Sequence, residues 1–228
     1  MELQPIYEKL QIQEMNQMQK STFQASENEQ DIILLSPTGS GKTLAFLFPV
    51  LRNLQKDISG IQAIILVPAR ELALQIEQVF KNMGTDFKVT ICYGGHDKKI
   101  EINNLTQAPA VLIGTPGRIA YHLKNNNFEP KTIKTLVLDE FDKALELGFE
   151  EDMNFIISSL KNISQRFLTS ATAMDNIPKF VGLDNEKTIN FLKLGEVKPN
   201  IQLKKVMTIP EEKLETLFKL ICKIGNKR

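Results

Sequence analysis

Short apolar runs recur along the chain, and helix-length amphipathic segments separate them. Most runs are apolar at nearly every position, which is typical of strands buried on both faces. Strands of this kind that alternate with helices predict an α/β fold, an open parallel sheet flanked by helices on both faces. The runs are DIILL (31–35), QAIILV (62–67), KVTIC (88–92), AVLIG (110–114), TLVLD (135–139), RFLTS (166–170) and TINFL (188–192).

The charge balance and the cysteines narrow the class of protein. The 28 basic residues nearly balance the 27 acidic ones, so a nucleic acid would have to bind on a local patch. Cys92 and Cys222 lie outside any zinc or disulfide pattern, which indicates a reducing compartment. His96 and His122 have no ligand-like companions, so we expect both at the surface or in packing.

The N-terminus lacks the features of a signal peptide, and no stretch approaches the roughly 20 apolar residues that span a bilayer. We therefore expect a cytoplasmic protein without a membrane segment.

A glycine-rich loop, SPTGSGKT (36–43), follows the first apolar run and leads into LAFLFPVL, which predicts a helix. Gly39 and Gly41 allow backbone amides to turn inward around phosphate oxygens, and the helix start adds its positive end. Lys42 would then reach the β- and γ-phosphates of a nucleotide. The candidate nucleotide-binding residues of this loop are Ser36, Pro37, Thr38, Gly39, Ser40, Gly41, Lys42 and Thr43.

Two features of this region depart from the usual pattern. Ser36 occupies the first position of the loop, where Gly or Ala is usual, and its side chain is small enough to fit. Pro49 lies inside the predicted helix and removes a hydrogen bond to Ala45, so we expect a kink or an early end there. The alternative to a nucleotide site is a strand–helix turn that contains GKT by coincidence.

Three acids, Asp139, Glu140 and Asp142, come at the end of the apolar run TLVLD. A nucleotide with Mg²⁺ needs an acid opposite the phosphate loop, and Asp139 can hold the metal together with the Thr43 hydroxyl. Glu140 would stand near the γ-phosphate, where it orients or deprotonates the attacking water. Glu140, Lys42 and Asp139 are therefore the candidate catalytic residues. The alternative is a strand that ends at a solvated turn.

Six motifs in a fixed order resemble those of the first RecA-like domain of a DEAD-box RNA helicase, over nearly the whole chain. They are SPTGSGKT, PARELALQ (68–75), YGG (93–95), TPGR (115–118), DEFD (139–142) and SAT (170–172). The resemblance implies a RecA-like P-loop fold, an ATP-dependent RNA helicase activity with ATP and Mg²⁺ as cofactors, and RNA as a partner. The name of the family implies the motif DEAD, and this chain has Phe141 at the position of the alanine. We predict that this ring is mostly buried and that its neighbours are small.

The resemblance also assigns three loops to the RNA backbone. Helix N-terminal amides, the Thr115 hydroxyl and guanidinium groups all donate to phosphate and carry no base information, so binding would be independent of sequence. Arg70 has a structural alternative, a pair with Glu71 or with a strand-end carbonyl. Lys98 and Lys99 are expected to form a solvated helix face, and the alternative is that they add charge to the RNA-binding surface. The implied RNA-binding residues are Pro68, Arg70, Gly94, Gly95, Thr115, Pro116, Gly117 and Arg118.

Two more assignments follow from the resemblance. Gln19, in NQMQ (16–19), resembles the family's adenine-reading glutamine, whose amide suits ATP over GTP. The alternative for Gln19 is a polar helix start. The hydroxyls of Ser170 and Thr172 would bond to Asp142 and couple the ATP edge to the RNA edge, with strand-end capping as the alternative.

We predict two parts of the chain. Residues 1–200 form an N-terminal RecA-like helicase domain, and residues 201–228 form a linker and the truncated start of a second RecA-like domain. The polar segment GEVKPNIQLKK (195–205) marks the end of the globular part. Apolar residues then recur at helical spacing, which leaves a helix face without a strand to cover. This pattern predicts either a fragment of a longer helicase or a helix that folds back on the domain. The apolar residues are Leu214, Leu217, Phe218 and Ile221.

We expect such a fragment to be a monomer that binds ATP but hydrolyses it slowly. In the resembled family a second RecA-like domain supplies arginines to the γ-phosphate, and such a group contributes about 10³ to 10⁵ in turnover. Two other functions remain open. One is a single-domain ATP-binding adaptor that never turns over, and the other is a DNA-directed member of the same superfamily.

Overall fold

Each of the seven apolar runs forms a strand of one parallel sheet. The structure, a computed structural model, describes residues 3–174, 176–192 and 205–224. The strands lie in the order β3-β4-β2-β5-β6-β1-β7, and every neighbouring pair is parallel. The predicted fold class is confirmed. The strands are β1 (Asp31–Leu35), β2 (Ala63–Leu66), β3 (Val89–Cys92), β4 (Val111–Gly114), β5 (Thr135–Leu138), β6 (Gln165–Ser170) and β7 (Lys187–Asn190).

Helices connect most of the strands, and some of them begin with recognisable sequence signals. Asn16 and Gln19 form a capping box, the Asp97 carboxylate accepts from the Lys99 amide, and Pro116 occupies a first-turn position where no amide is needed. The helices are α1 (Gln4–Leu10), α2 (Gln17–Asn28), α3 (Lys42–Asn53), α4 (Arg70–Asn82), α5 (Lys98–Thr106), α6 (Pro116–Lys124), α7 (Phe141–Glu146), α8 (Glu150–Ser159) and α9 (Lys213–Ile224). None of the helices in the described part of the chain is long and apolar enough to cross a membrane.

Both faces of the sheet are buried, as the near-continuous apolar runs predict. Successive residues of a strand point to opposite faces. Ile32 and Leu34 accordingly join one cluster of buried side chains, whereas Ile33 and Leu35 join the other. The first cluster contains residues of α2, α3 and α4, and the second contains residues of α6, α7 and α8. The helices therefore cover the sheet on both sides.

The strand order separates the six motifs into two groups at one edge of the sheet. YGG, TPGR and PARE follow β3, β4 and β2, which are adjacent strands. DEFD, SAT and the phosphate loop follow β5, β6 and β1, which are also adjacent. Because all strands are parallel, all six motifs lie at the carboxyl edge, where open α/β sheets bind ligands.

Helix α3 runs through Pro49 and ends at Asn53. Of the two outcomes expected for this proline, the early end is therefore wrong. The buried, apolar environment of α3 offsets the missing hydrogen bond, because Phe46, Leu47, Phe48 and Val50 are fully buried around it.

Phe141 lies between the acids of the DEFD sequence. Its side chain is 0% exposed, so the prediction that it is buried is confirmed. The expectation of small neighbours is wrong for one contact, because the Phe180 ring lies 6.4 Å from the Phe141 ring, centroid to centroid, at an interplanar angle of 49°. Phe180 belongs to the 3-10 turn Lys179–Val181, which lies after the SAT motif. Phe141 therefore packs in an aromatic pair on at least one side.

The chain divides into two units, residues 1–194 and 195–228. The predicted boundary segment falls largely outside the described residues, since the structure describes nothing between 193 and 204. Helix α9 forms where the apolar spacing predicts it, and its apolar residues Leu214, Leu217, Phe218 and Ile221 are exposed.

Candidate functional site

The phosphate loop folds around the Lys42 side chain. Lys42 Nζ donates to the carbonyl oxygen of Ser36 at 2.7 Å, and this side chain is only 7% exposed. Burial lowers the Lys42 pKa, although the nearby carboxylates of Asp139, Glu140 and Asp142 act in the opposite direction. The ammonium group thus lies in the loop, close enough to the acids that follow β5 for their charges to affect its pKa.

Ser36 has a structural use for the hydroxyl that distinguishes it from the usual Gly or Ala. Its Oγ lies 2.9 Å from Ser40 Oγ, within the same loop. Its backbone amide donates to the carbonyl oxygen of Ser170 at 3.1 Å, which joins the phosphate loop to the SAT motif on the neighbouring strand.

Gln19 packs directly against the phosphate loop. Gly41 has φ +93°, and a Cβ there would lie 2.7 Å from Gln19 Nε2, so both the backbone conformation and the close approach require glycine. Gln19 Nε2 donates to the carbonyl oxygen of Gly41 at 3.1 Å, and Asn16 Nδ2 donates to that of Ser40 at 3.0 Å. Gln19 Oε1 accepts from the Asn16 amide in the capping box. The helix start and the loop therefore form one hydrogen-bonded unit, and reading of adenine by Gln19 stays a prediction.

The DEFD acids lie at the end of β5, and β6 lies between β5 and the strand β1 that leads into the phosphate loop. Asp139 is buried, and burial is the main cause that raises its pKa to about 6, with a hydrogen bond from Thr169 opposing the shift. Glu140 has φ +48° and ψ +50°, a left-handed conformation that costs a non-glycine residue on the order of 1–3 kcal/mol. Such strained backbone is concentrated at functional sites.

Thr169 connects these two acids, and the sequence analysis did not identify it. Its Oγ1 donates to Asp139 Oδ1 at 2.5 Å and accepts from the Glu140 amide at 3.2 Å. The side chain is fully buried in β6. In the sequence it reads as an ordinary β-branched residue of the run RFLTS, because only the pairing of β5 with β6 brings it to the acids.

Asp142 contacts the SAT motif through one of the two expected residues. Thr172 Oγ1 donates to Asp142 Oδ2 at 2.9 Å. Ser170 Oγ instead donates to the carbonyl oxygen of Thr172 at 2.7 Å, and so holds the turn that carries Thr172. The buried oxygen Asp142 Oδ1 has no hydrogen-bond partner among the residues that the structure describes.

The other three motifs surround a surface groove with a volume of about 550 Å³. Gly95 has φ +85°, which favours glycine in the YGG turn, and Arg70 opens helix α4 with its guanidinium carbon 5.0 Å from the Tyr93 ring centroid. Pro68 is buried, and Pro116 starts α6. The groove is lined by Arg70, Gly94, Lys98, Thr115, Gly117, Arg118, Tyr121 and Phe149.

A buried carboxylate, Glu101 of α5, holds the walls of this groove together. Its Oε1 accepts from the Tyr93 amide at 3.0 Å and lies 3.2 Å from His96 Nδ1. Its Oε2 lies 2.7 Å from His122 Nε2 and 3.4 Å from Arg118 Nη1. Burial alone would raise the Glu101 pKa, but the hydrogen bonds from His122 and the Tyr93 amide, with the Arg118 charge, lower it.

This network corrects the sequence-based interpretation of the histidines. His122 is buried and His96 is half-buried. His122 does have ligand-like companions, since Cys92, Glu101 and His122 place ligand atoms within 4.8 Å of one another. His122 Nδ1 also lies 2.9 Å from Asn127 Nδ2. Both nitrogens of the His122 ring and both oxygens of the Glu101 carboxylate therefore have a hydrogen-bond partner. The sequence could not reveal Glu101, because DKKIEINN reads as a polar helix.

A glycine-rich loop with a buried lysine, beside strand-end acids at the carboxyl edge of a parallel sheet, defines a P-loop nucleotide-binding domain of the RecA-like fold. The DEAD/DEAH box helicase family model matches residues 16–180. The chain belongs to this family.

Curated relatives and solved structures agree with that family. The chain is 38% identical to the ATP-dependent RNA helicase CshA of Limosilactobacillus reuteri, over 73% of this chain and 34% of that protein. It is 32% identical to the DEAD-box ATP-dependent RNA helicase CshA of Geobacillus kaustophilus, over 96% of this chain and 48% of that protein. A DEAD box protein of Methanococcus jannaschii superposes with a TM-score of 0.68 at 29% identity, over 90% of this chain and 56% of that one. The chain thus spans between a third and a half of these two curated relatives.

Proposed function

We propose that this chain is the ATP-binding lobe of an ATP-dependent RNA helicase. The observation that carries the proposal is the strand order, because it puts three nucleotide motifs on adjacent strands and three RNA motifs on the adjacent half of the same edge. ATP binding and RNA binding would therefore occur side by side on one rigid sheet. The family membership supports the same activity.

We call the part of the sheet edge that carries the phosphate loop, DEFD and SAT the nucleotide half. This half suits ATP with Mg²⁺. Lys42 and the loop amides would bind the phosphates, and Gln19 would read adenine from its position against Gly41. The Asp139 carboxylate and the Thr43 hydroxyl are hard oxygen donors of the kind that Mg²⁺ takes. Asp142 Oδ1 is buried without a hydrogen-bond partner among the described residues, and burial raises the Asp139 pKa, so a cation nearby would stabilise both carboxylates. Mg²⁺ would neutralise charge that develops on the phosphates, while Glu140 orients the attacking water.

We call the part of the sheet edge that carries PARE, YGG and TPGR the RNA half. This half suits contacts to the backbone of a nucleic acid strand. Its groove is lined by three cations and by the amino-terminal end of α6, and these groups recognise phosphate and not bases. Binding would be independent of sequence. We propose that the second RecA-like lobe needed for fast turnover lies elsewhere in the same polypeptide, and that the protein acts in the cytoplasm.

ATP hydrolysis by the full-length gene product, with and without single-stranded RNA, tests the proposal. We expect RNA to raise the hydrolysis rate, and single-stranded DNA of the same length to raise it much less. Equal stimulation by DNA would favour a DNA-directed helicase. ATP binding without any turnover, under both conditions, would favour the adaptor.

A further inference from the structure

Three cationic side chains line the groove at the RNA half, but one of them is committed to the fold. Arg118 is only 9% exposed, and its Nη1 lies 3.4 Å from the buried Glu101 carboxylate. Its Nη2 donates to the carbonyl oxygen of His96 at 2.9 Å. The Arg118 guanidinium therefore faces an internal carboxylate and fixes the turn after β3 against α6 through Nη2, while its buried Nη1 has no hydrogen-bond partner among the described residues.

The other two cations rest on aromatic rings instead of acids. Arg70 lies over Tyr93, and Lys98 Nζ lies 4.2 Å from the Tyr121 ring centroid. No carboxylate of the residues that the structure describes lies within 4.0 Å of Lys98 Nζ. A cation held over an aromatic face is oriented without loss of its charge. Both side chains are exposed and both line the groove, so both keep a full charge available to a phosphate.

From these contacts we propose that Lys98 carries a phosphate contact of the groove beside Arg70, and that Arg118 is a positioning residue. This inference rests on the proposed RNA function and assigns Lys98 to the binding surface, although its sequence reads as a solvated helix face. Tyr121 is part of the site, because it holds Lys98 at the groove.

Lys98→Ala and the matched control Lys99→Ala test the inference. Lys99 is the next residue of α5 and is also exposed, but it does not line the groove. The measurement is the affinity of the full-length protein for labelled single-stranded RNA as a function of KCl concentration. Each phosphate contact contributes about 0.7 to the slope of log K against log salt for single strands.

We expect Lys98→Ala to reduce that slope by about 0.7 and to weaken binding at low salt roughly three- to tenfold. Lys99→Ala should match the wild type, and Arg70→Gln should resemble Lys98→Ala. Equal slopes for Lys98→Ala and Lys99→Ala would overturn the inference and leave the RNA function intact. A wild-type protein that binds no RNA would overturn both.

A second, independent observation concerns Thr169 in the nucleotide half. One hydroxyl both donates to the Asp139 carboxylate and accepts from the amide of Glu140, the residue with the left-handed backbone. A hydroxyl is one of the few side-chain groups that can donate and accept at once. We infer that Thr169 is a positioning residue for the two acids, since it fixes the direction of the first and the backbone of the second.

Thr169→Val and Thr169→Ser separate the hydroxyl from the methyl group. Valine keeps the shape of threonine and loses both hydrogen bonds, whereas serine keeps them. In Thr169→Val we expect the Mg²⁺ concentration that supports half-maximal ATP-analogue binding to rise about tenfold, and hydrogen exchange at the Glu140 amide to accelerate by a similar factor. Binding in the presence of EDTA should not change.

Thr169→Ser should keep both the Mg²⁺ dependence and the Glu140 amide exchange rate within about twofold of the wild type. The reverse ranking, with valine close to the wild type and serine impaired, would show that packing of the methyl group matters and would overturn the inference. The ranking remains informative if both variants lose some thermal stability, because both readouts are taken on the folded protein.

Discussion

Replacement of Lys42 by alanine is expected to weaken ATP binding about 100-fold. The ammonium group lies inside the loop and would exchange its bond to the Ser36 carbonyl for a charge-assisted bond to phosphate. Loss of one partner of a buried, hydrogen-bonded charge pair costs roughly 2–5 kcal/mol, and about 1.4 kcal/mol corresponds to a factor of ten in affinity. The negative phosphates would then lack their main counter-charge within the loop.

Titration of a fluorescent ATP analogue against both proteins measures this effect. Lys56→Ala is the matched control, because Lys56 is also a lysine near α3, but its ammonium is exposed and pairs with Asp86 on the surface. We expect the control to bind like the wild type. A thermal melt of Lys42→Ala without nucleotide identifies any loss of folding. An intact Lys42→Ala protein that binds ATP within twofold of the wild type would contradict the loop assignment.

The sequence predicted the strands well but not the order in which they pair. Each apolar run marks a strand to within about two residues, because burial on both faces leaves a continuous apolar signal. Pairing depends on long-range contacts: β1 lies between β6 and β7, both more than 130 positions further along the chain. The separation of the motifs proposed for the nucleotide from those proposed for RNA follows from that order, so it could be predicted only by resemblance.

The residues that the sequence analysis missed are polar groups whose partners lie far away in the chain. Glu101 and Thr169 look ordinary in their local sequence, one in a polar helix and the other in a strand. Each becomes distinctive only after folding, when burial forces its polar atoms to find hydrogen-bond partners. Phosphate-loop and DEFD residues differ, because their chemistry requires fixed local spacing that is visible in the sequence.

The same distinction explains the error about Phe141. Burial of a large aromatic side chain next to a strand can be predicted from its type alone. The identity of its neighbours cannot, since Phe180 comes from a turn on the far side of the SAT motif. A core accepts a larger residue when the surrounding volume is arranged for it. The acids of DEFD therefore lie in front of an aromatic pair, Phe141 with Phe180.

Replacement of Glu140 by glutamine is expected to reduce ATP hydrolysis by the full-length gene product about 10³-fold. A positioned general base contributes typically 10²- to 10⁴-fold, and glutamine cannot accept the proton of the attacking water. The change keeps the side-chain size and the backbone amide that donates to Thr169, so the left-handed backbone at this position should persist. ATP and RNA affinities should stay within about twofold of the wild type, because neither Lys42 nor the groove is altered.

The variant should also change the titration of its neighbour. The Glu140 charge is one of the causes that raise the Asp139 pKa, so its removal lowers that pKa and keeps Asp139 ionised at lower pH. Mg²⁺-dependent ATP-analogue binding should consequently extend to lower pH in Glu140→Gln than in the wild type. Glu146→Gln is the matched control, because Glu146 is exposed at the end of α7 and pairs with Lys143. Single-turnover hydrolysis within tenfold of the wild type in Glu140→Gln, with the control unchanged, would remove Glu140 from the catalytic role and leave the orientation of water to another group.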